Sequence, residues 1–159
     1  MYNFLMDKYD QLFIATTDTV VGIGAPISET NYKLLQKIKK RKRSKRLVIM
    51  IYSLEQAREF KDWSHNADLL AAKYWPGPVT LVLSSKVALR IPRNNHLIEL
   101  IKKIGPIYMT SANLSGKKTL NFEEAIKQFP KIKKHYNFGE GQGSASMIIR
   151  VKDGKILRK

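Results

Sequence analysis

Strand-like and helix-like segments mix along the chain without a regular βαβ rhythm, which predicts a single α/β domain, residues 1–159, with a mixed sheet and flanking helices. Three observations carry this. Apolar residues recur at both strand and helix spacing. A length of 159 residues suits one domain with a core of useful size. Neither an internal repeat nor a low-complexity linker marks a boundary.

Taken in order, Leu12 to Ala15 reads as a short buried strand, followed by a threonine-rich turn and a second apolar piece, Val20 to Ile23. Ser28 to Lys40 reads as a helix, with Ser28 able to cap it and Tyr32, Leu35 and Ile38 at helical spacing. Leu47 to Tyr52 is the best strand in the chain. Helical character resumes at Ser53 to Phe60, where Ser53 and Gln56 have capping-box spacing. A third helix runs from Ser64 to Tyr74 and is stopped by Pro76. Val79 to Leu83 and Val87 to Ile91 read as strands joined by a tight polar turn. A helix at Leu97 to Ile104 ends at Gly105-Pro106, and a strand follows at Ile107 to Thr110. Asn121 caps a helix carrying Phe122, Ala125, Ile126 and Phe129. Strands at Met147 to Val151 and Lys155 to Leu157 flank an Asp153-Gly154 hairpin turn.

Composition excludes several classes of function. A hydrophobic fraction of 43% is too high for a disordered chain. No apolar run approaches a membrane span, and Met1 to Asp10 is too mixed for a secretory signal, so a cytoplasmic protein without a membrane partner is expected. With no cysteine, disulfides, thiolate metal sites and thiol catalysis are all excluded.

The net charge is +16, which favours polyanionic partners such as nucleoside triphosphates or RNA, although a general lysine bias explains part of it. Bias explains less well the run from Lys37 to Arg46, where eight of ten residues are Lys or Arg. Packed like charges are solvated, disordered or paired with an anion, and neighbouring motifs favour the anion.

Standard catalytic templates fit poorly. His65, His96 and His135 are far apart and form no metal-ligand pair at helical spacing, and no Gly-x-Ser-x-Gly elbow exists. Gly116-Lys117-Lys118-Thr119 resembles the end of a P-loop, but the position of its first glycine is Ser111. Gly139 to Gly143 has no helix behind it. Both glycine segments read as turns.

Four segments make a better constellation. Thr16-Thr17-Asp18-Thr19 follows a strand and places hydroxyls and a carboxylate at its carboxyl end. Lys39-Lys40-Arg41 with Lys45 stands just before the best strand. Trp75-Pro76-Gly77-Pro78-Val79-Thr80 is a rigid turn into a strand, and Thr110 to Gly116 is a second hydroxyl-rich loop ending a strand. Each alone is equally a cap, a turn or a solvated patch. Together they supply donors for phosphate oxygens in the crevice that open α/β sheets use for ligands.

In this order Thr17-Asp18-Thr19-Val20-Val21-Gly22-Ile23-Gly24-Ala25, Lys39-x-Arg41, Trp75-Pro76-Gly77-Pro78-x-Thr80 and Ser111-Ala112-Asn113-x-Ser115-Gly116 resemble the YrdC-like threonylcarbamoyl-AMP synthases, from about Phe13 to Arg158. The resemblance implies a twisted α/β sheet with a positively charged concave surface, in the short single-domain form. It implies that threonine, bicarbonate and ATP, the last with Mg2+, give threonylcarbamoyl-AMP and pyrophosphate, with no tightly bound organic cofactor. A partner threonylcarbamoyl-transferase complex would then modify adenosine 37 of tRNAs that read ANN codons.

By the same resemblance Lys39, Arg41, Ser111 and Asn113 form a catalytic clamp. Lys45, Arg158, Lys39, Arg41 and Asn113 meet ATP, and Thr17, Arg90, Ser111 and Ser146 meet threonine. Arginine suits a carboxylate because its fork is bidentate.

The chain departs from the family pattern at several places. Thr16 stands for a usual proline, Val21 for a tyrosine, and Lys42 and Arg46 for prolines. The stretch between Thr80 and Arg90 is short, and Ala145-Ser146-Met147 replaces a common Pro-Ser-Thr. The Lys-x-Arg and Ser-x-Asn pairs stay. A noncatalytic RNA-binding module is the competing expectation, supported by the charge and opposed by the lack of an aromatic-rich RNA-recognition strand.

Overall fold

The computed structural model describes residues 7–41 and 46–159. They form one mixed nine-stranded sheet with five helices. Along the chain the strands are β1 (Phe13–Ala15), β2 (Gly22–Pro26), β3 (Val48–Met50), β4 (Val79–Val82), β5 (Ala88–Arg90), β6 (Ile107–Ser111), β7 (Lys134–Tyr136), β8 (Met147–Arg150) and β9 (Ile156–Arg158). The helices are α1 (Glu29–Ile38), α2 (Leu54–Arg58), α3 (His65–Tyr74), α4 (Asn95–Ile104) and α5 (Phe122–Gln128). Across the sheet the order is β7-β1-β2-β6-β3-β5-β4-β8-β9.

The helices start where a side-chain oxygen can take an orphan backbone N–H. Ser28, Ser53, Ser64 and Asn94 each accept from the backbone N–H three residues on. Asn121 and Glu124 form a reciprocal capping box. At Ser53 the box is incomplete, because Gln56 turns its side chain to Tyr52 N instead.

Strand periodicity distributes the core over both faces. Leu12 and Ile14 join Ile23 and Ala25 against Leu34 and Leu35 of α1, Ala125 of α5 and Phe129 at the C-cap of α5. Phe13 and Ala15 join Met50, Ile107 and Met109 against Leu97 and Ile101 of α4. Farther along the sheet, Val79, Leu81 and Ile149 pack on Ala67 and Ala71 of α3. Full burial of one such Leu or Ile contributes about 1.5–3 kcal/mol, so both sheet faces are committed by hydrophobicity alone.

Two strands go beyond the sequence reading. Within the apolar piece Val20 to Ile23 the strand begins only at Gly22, because the Thr17 hydroxyl donates to Val20 O at 2.7 Å and holds that residue in a turn. The strand then extends to Pro26, paired antiparallel with β6 from Gly22↔Ser111 to Pro26↔Ile107. β7 was not expected at all: Lys-His-Tyr has no strand periodicity, and it is a strand through its parallel pairing with β1. Among the described residues no helix is long and apolar enough to cross a membrane.

Candidate functional site

Two strand ends and one helix end converge. Beyond β1, Thr17 Oγ1 also accepts from Thr19 N at 3.0 Å and lies 3.1 Å from Thr19 Oγ1, which closes the loop on itself. Thr16 Oγ1 accepts from Phe138 N, a contact that uses the hydroxyl a proline would lack. Beyond β6, Ala112 N donates to Val21 O at 2.8 Å and ties the 111–116 loop to the start of β2. After α1, Lys39 ends the helix and Lys40 adopts φ 52°, the left-handed region that reverses the chain. Arg41 N then donates back to Gln36 O at 3.3 Å.

This reversal sends Lys39 inward. Its side chain is among the largest fully buried ones of the described residues. Nζ donates to Ser111 O, to Ser111 Oγ at 3.2 Å and to Asn113 Oδ1 at 2.8 Å. Ser111 Oγ donates in turn to Asn113 Oδ1 at 2.6 Å, Asn113 Nδ2 donates to Lys117 O, and Ser115 N donates to Lys39 O at 3.0 Å. Three oxygens on one nitrogen require the ammonium form. Burial opposes it, with the nearby Arg41 charge adding, and together they lower the Lys39 pKa to about 7.

A cleft of about 520 Å³ opens above this cluster, lined among others by Thr17, Arg41, Arg90, Ser111, Ser146 and Arg158. Six of the nine expected site residues therefore share one wall. Lys39 and Asn113 do not line the cleft but support Ser111 from below, and Lys45 lies outside the described residues. Arg41 donates from Nη2 to Thr110 Oγ1 at 3.1 Å, while its Nε is buried with no hydrogen-bond partner. Burial lowers the pKa of Arg41 and of Arg158.

Arg90 has a partner that sequence reading missed. Its Nη1 donates to both Asp18 oxygens at 2.8 and 2.9 Å, with the side chains 3% and 10% exposed. At this burial the ion pair is scarcely screened by solvent. The signal was present in Thr16-Thr17-Asp18-Thr19, but nothing local says which cation the carboxylate meets. Ser146 Oγ lies 2.8 Å from Thr80 Oγ1, and Arg158 donates to Ser146 O at 3.0 Å and to Ser146 Oγ at 3.3 Å. Arg46, noted in the sequence only as standing for a family proline, lines the cleft and donates to the carbonyls of Ser84 and Ser85 in the β4–β5 turn.

The Gly139 to Gly143 segment is more than a turn. Gln142 N and Gly143 N donate to the carbonyls of Asp18 and Thr19 at 2.9 and 3.0 Å. A Cβ on Gly141 would stand 2.4 Å from Thr17 O and 2.5 Å from Thr19 O, so only glycine admits this approach. The segment thus buttresses the loop that carries Thr17 and Asp18.

Chemically, the cleft offers guanidinium and hydroxyl donors to an anion. Among the described residues no cluster of three or more His, Cys, Asp or Glu could hold a metal ion. Charge stabilisation and positioning are what such a wall can do.

The Sua5/YciO/YrdC family model, described as Telomere recombination, matches residues 8–159. A threonylcarbamoyl-AMP synthase of Pyrococcus abyssi is 36% identical over an alignment of 117 positions, gaps included, that covers 64% of this chain and 34% of that protein. A putative threonylcarbamoyl-AMP synthase of Methanocaldococcus jannaschii is 28% identical over an alignment of 162 positions, gaps included, that covers 92% of this chain and 77% of that one. The crystal structure of P. abyssi Sua5 complexed with L-threonine has a TM-score of 0.81 and 31% identity to this chain, covering 91% of it and 48% of the Sua5 chain. The aligned part is thus about a third to a half of the Pyrococcus proteins' length.

Proposed function

The chain belongs to the Sua5/YciO/YrdC family, and from that premise we propose that it is an L-threonylcarbamoyladenylate synthase. Threonine's amine takes up the carbon of bicarbonate with loss of water. The resulting carbamate oxygen attacks the α-phosphorus of ATP, pyrophosphate leaves, and threonylcarbamoyl-AMP remains. A separate transferase complex passes the threonylcarbamoyl group to adenosine 37 of ANN-decoding tRNAs, and the protein works in the cytoplasm.

The observation that supports this most is a single cleft whose wall carries Arg41, Arg46, Arg90 and Arg158 among threonine and serine hydroxyls. Two anions must meet in this reaction, and their repulsion is offset by fixed cations. Arg41 and Arg158 hold the phosphates, with Lys45 assisting. Magnesium arrives on the phosphate oxygens of ATP rather than in a cage of side chains. Arg90, Thr17, Ser111 and Ser146 take threonine. Lys39 acts from beneath by orienting Ser111 and Asn113, and its charge adds to the potential of the wall.

The test is pyrophosphate release from ATP by the purified chain. Release is expected only with threonine and bicarbonate both present, with threonylcarbamoyl-AMP as the product. Tight tRNA binding without that product would instead favour an RNA-binding module, a reading supported by the +16 net charge.

A further inference from the structure

We infer that Asp18 is a positioning residue that selects which edge of Arg90 is offered to a substrate carboxylate, an inference that rests on the threonine site proposed above. A guanidinium presents five N–H hydrogens in a rigid plane. On Arg90, Nη1 is taken by the two Asp18 oxygens and by Gly77 O at 3.2 Å. Nη2 gives one hydrogen to Thr19 Oγ1 at 3.2 Å. Among the described residues no acceptor is bonded to Nε or to the second Nη2 hydrogen. In a guanidinium Nε–H and an Nη2 hydrogen share one edge, the arrangement that a carboxylate matches with both oxygens. Arg90 lines the cleft, and these are the donors that its protein partners leave over for a ligand.

Asp18 is itself locked. Its Oδ2 accepts from Arg93 N at 2.9 Å, and its own carbonyl accepts from Gln142 N at 2.9 Å. Gly141 presses on the backbone of Thr17, Asp18 and Thr19. The carboxylate therefore cannot follow Arg90 if the arginine swings, and its grip on Nη1 fixes the plane of the guanidinium. A buried ion pair is a poor device for stability, because desolvation cancels most of its attraction. Its directionality is the property used here.

Asp18→Asn removes the charge while keeping an oxygen for Arg93 N. Calorimetric titration of this variant is expected to show roughly tenfold weaker threonine binding, with ATP binding changed by less than about twofold. In turnover assays the KM for threonine should rise while kcat at saturating threonine is retained. If Asp18→Asn does not fold, the same titrations on Asp18→Glu, which keeps the charge at a different reach, decide the point with the same expectation. Wild-type threonine affinity in the variant overturns the inference. So does a parallel loss of both ligands, which marks a purely structural role. A wild-type chain that binds no threonine overturns the threonine site and this inference together, whereas threonine binding unaltered by the variant overturns only the inference.

Discussion

At one end of the cleft Arg90 is matched by Asp18, whereas among the described residues Arg41, Arg46 and Arg158 have no carboxylate partner and meet only carbonyl, amide and hydroxyl oxygens. The difference separates two uses of the same side chain. A compensated arginine contributes little net field and recognises by direction, through the hydrogens its partner leaves over. Uncompensated arginines supply potential, which suits a multiply charged ligand and is less demanding of geometry. On the proposed reaction the first end fits an amino acid carboxylate and the second a triphosphate.

The sharpest way to break this division is Arg41→Ala. Loss of a charge-assisted contact from a half-buried guanidinium is expected to weaken ATP binding by about a hundredfold while threonine binding holds. Calorimetry on a variant with unchanged circular dichroism checks it, and equal losses for both ligands would erase the distinction between the ends.

Next in size is Gly141→Ala, which drives a methyl group into the carbonyls of Thr17 and Thr19 beneath the compensated end. Overpacking of this kind costs about 1–3 kcal/mol, read as a lower midpoint in chemical denaturation. Threonine binding should fall with it and ATP binding much less.

Arg90→Lys keeps the charge and removes the fork. If direction is what counts there, threonine affinity falls roughly tenfold despite the retained cation. The matching Arg158→Lys at the other end should change ATP affinity by only about threefold, since potential survives the exchange.

The smallest effect concerns pH. Burial and Arg41 lower the folded-state pKa of Lys39 from 10.5 to about 7. Between these values the unfolded chain holds the extra proton. The Lys39 contribution to stability is therefore full above 10.5 and is lost as pH falls to about 7. Ligand affinity moves the other way: as the ammonium is lost above pH 7, ATP binding should weaken by about threefold, and Lys39→Met should flatten the profile. Titrations at pH 6.5 and 8.5, taken as roughly half a decade or more either side of that value, measure both arms.

Much of this architecture was legible because it is local. Ser28, Ser64 and Asn121 cap the helices that their spacing predicted, since a cap needs only a hydroxyl or amide three residues ahead of its donor. β3, β4 and β5 fall inside the apolar runs read as strands. β7 escaped notice because Lys134-His135-Tyr136 carries no alternation and owes its conformation to β1, more than a hundred residues earlier. The start of β2 at Gly22 was not legible because a single side-chain hydrogen bond, Thr17 to Val20, outweighed two β-branched residues. In the candidate site, the residue types and the convergence of the Thr17, Arg41 and Ser111 loops could be read from order and composition. The orientation of Lys39 could not.

By itself the sequence determined which side chains are available: caps at the helix starts, a large cationic excess, and hydroxyls and arginines in segments that end strands. Only the tertiary structure decided that Arg90 meets Asp18, 72 residues away, and that Lys39 turns under Ser111 and Asn113 rather than into the cleft. The reason is physical. A backbone hydrogen bond in a cap has its strength set by near neighbours, whereas the worth of a charge depends on how much water has been removed around it and what stands opposite. Both are settled only when distant strands close the sheet.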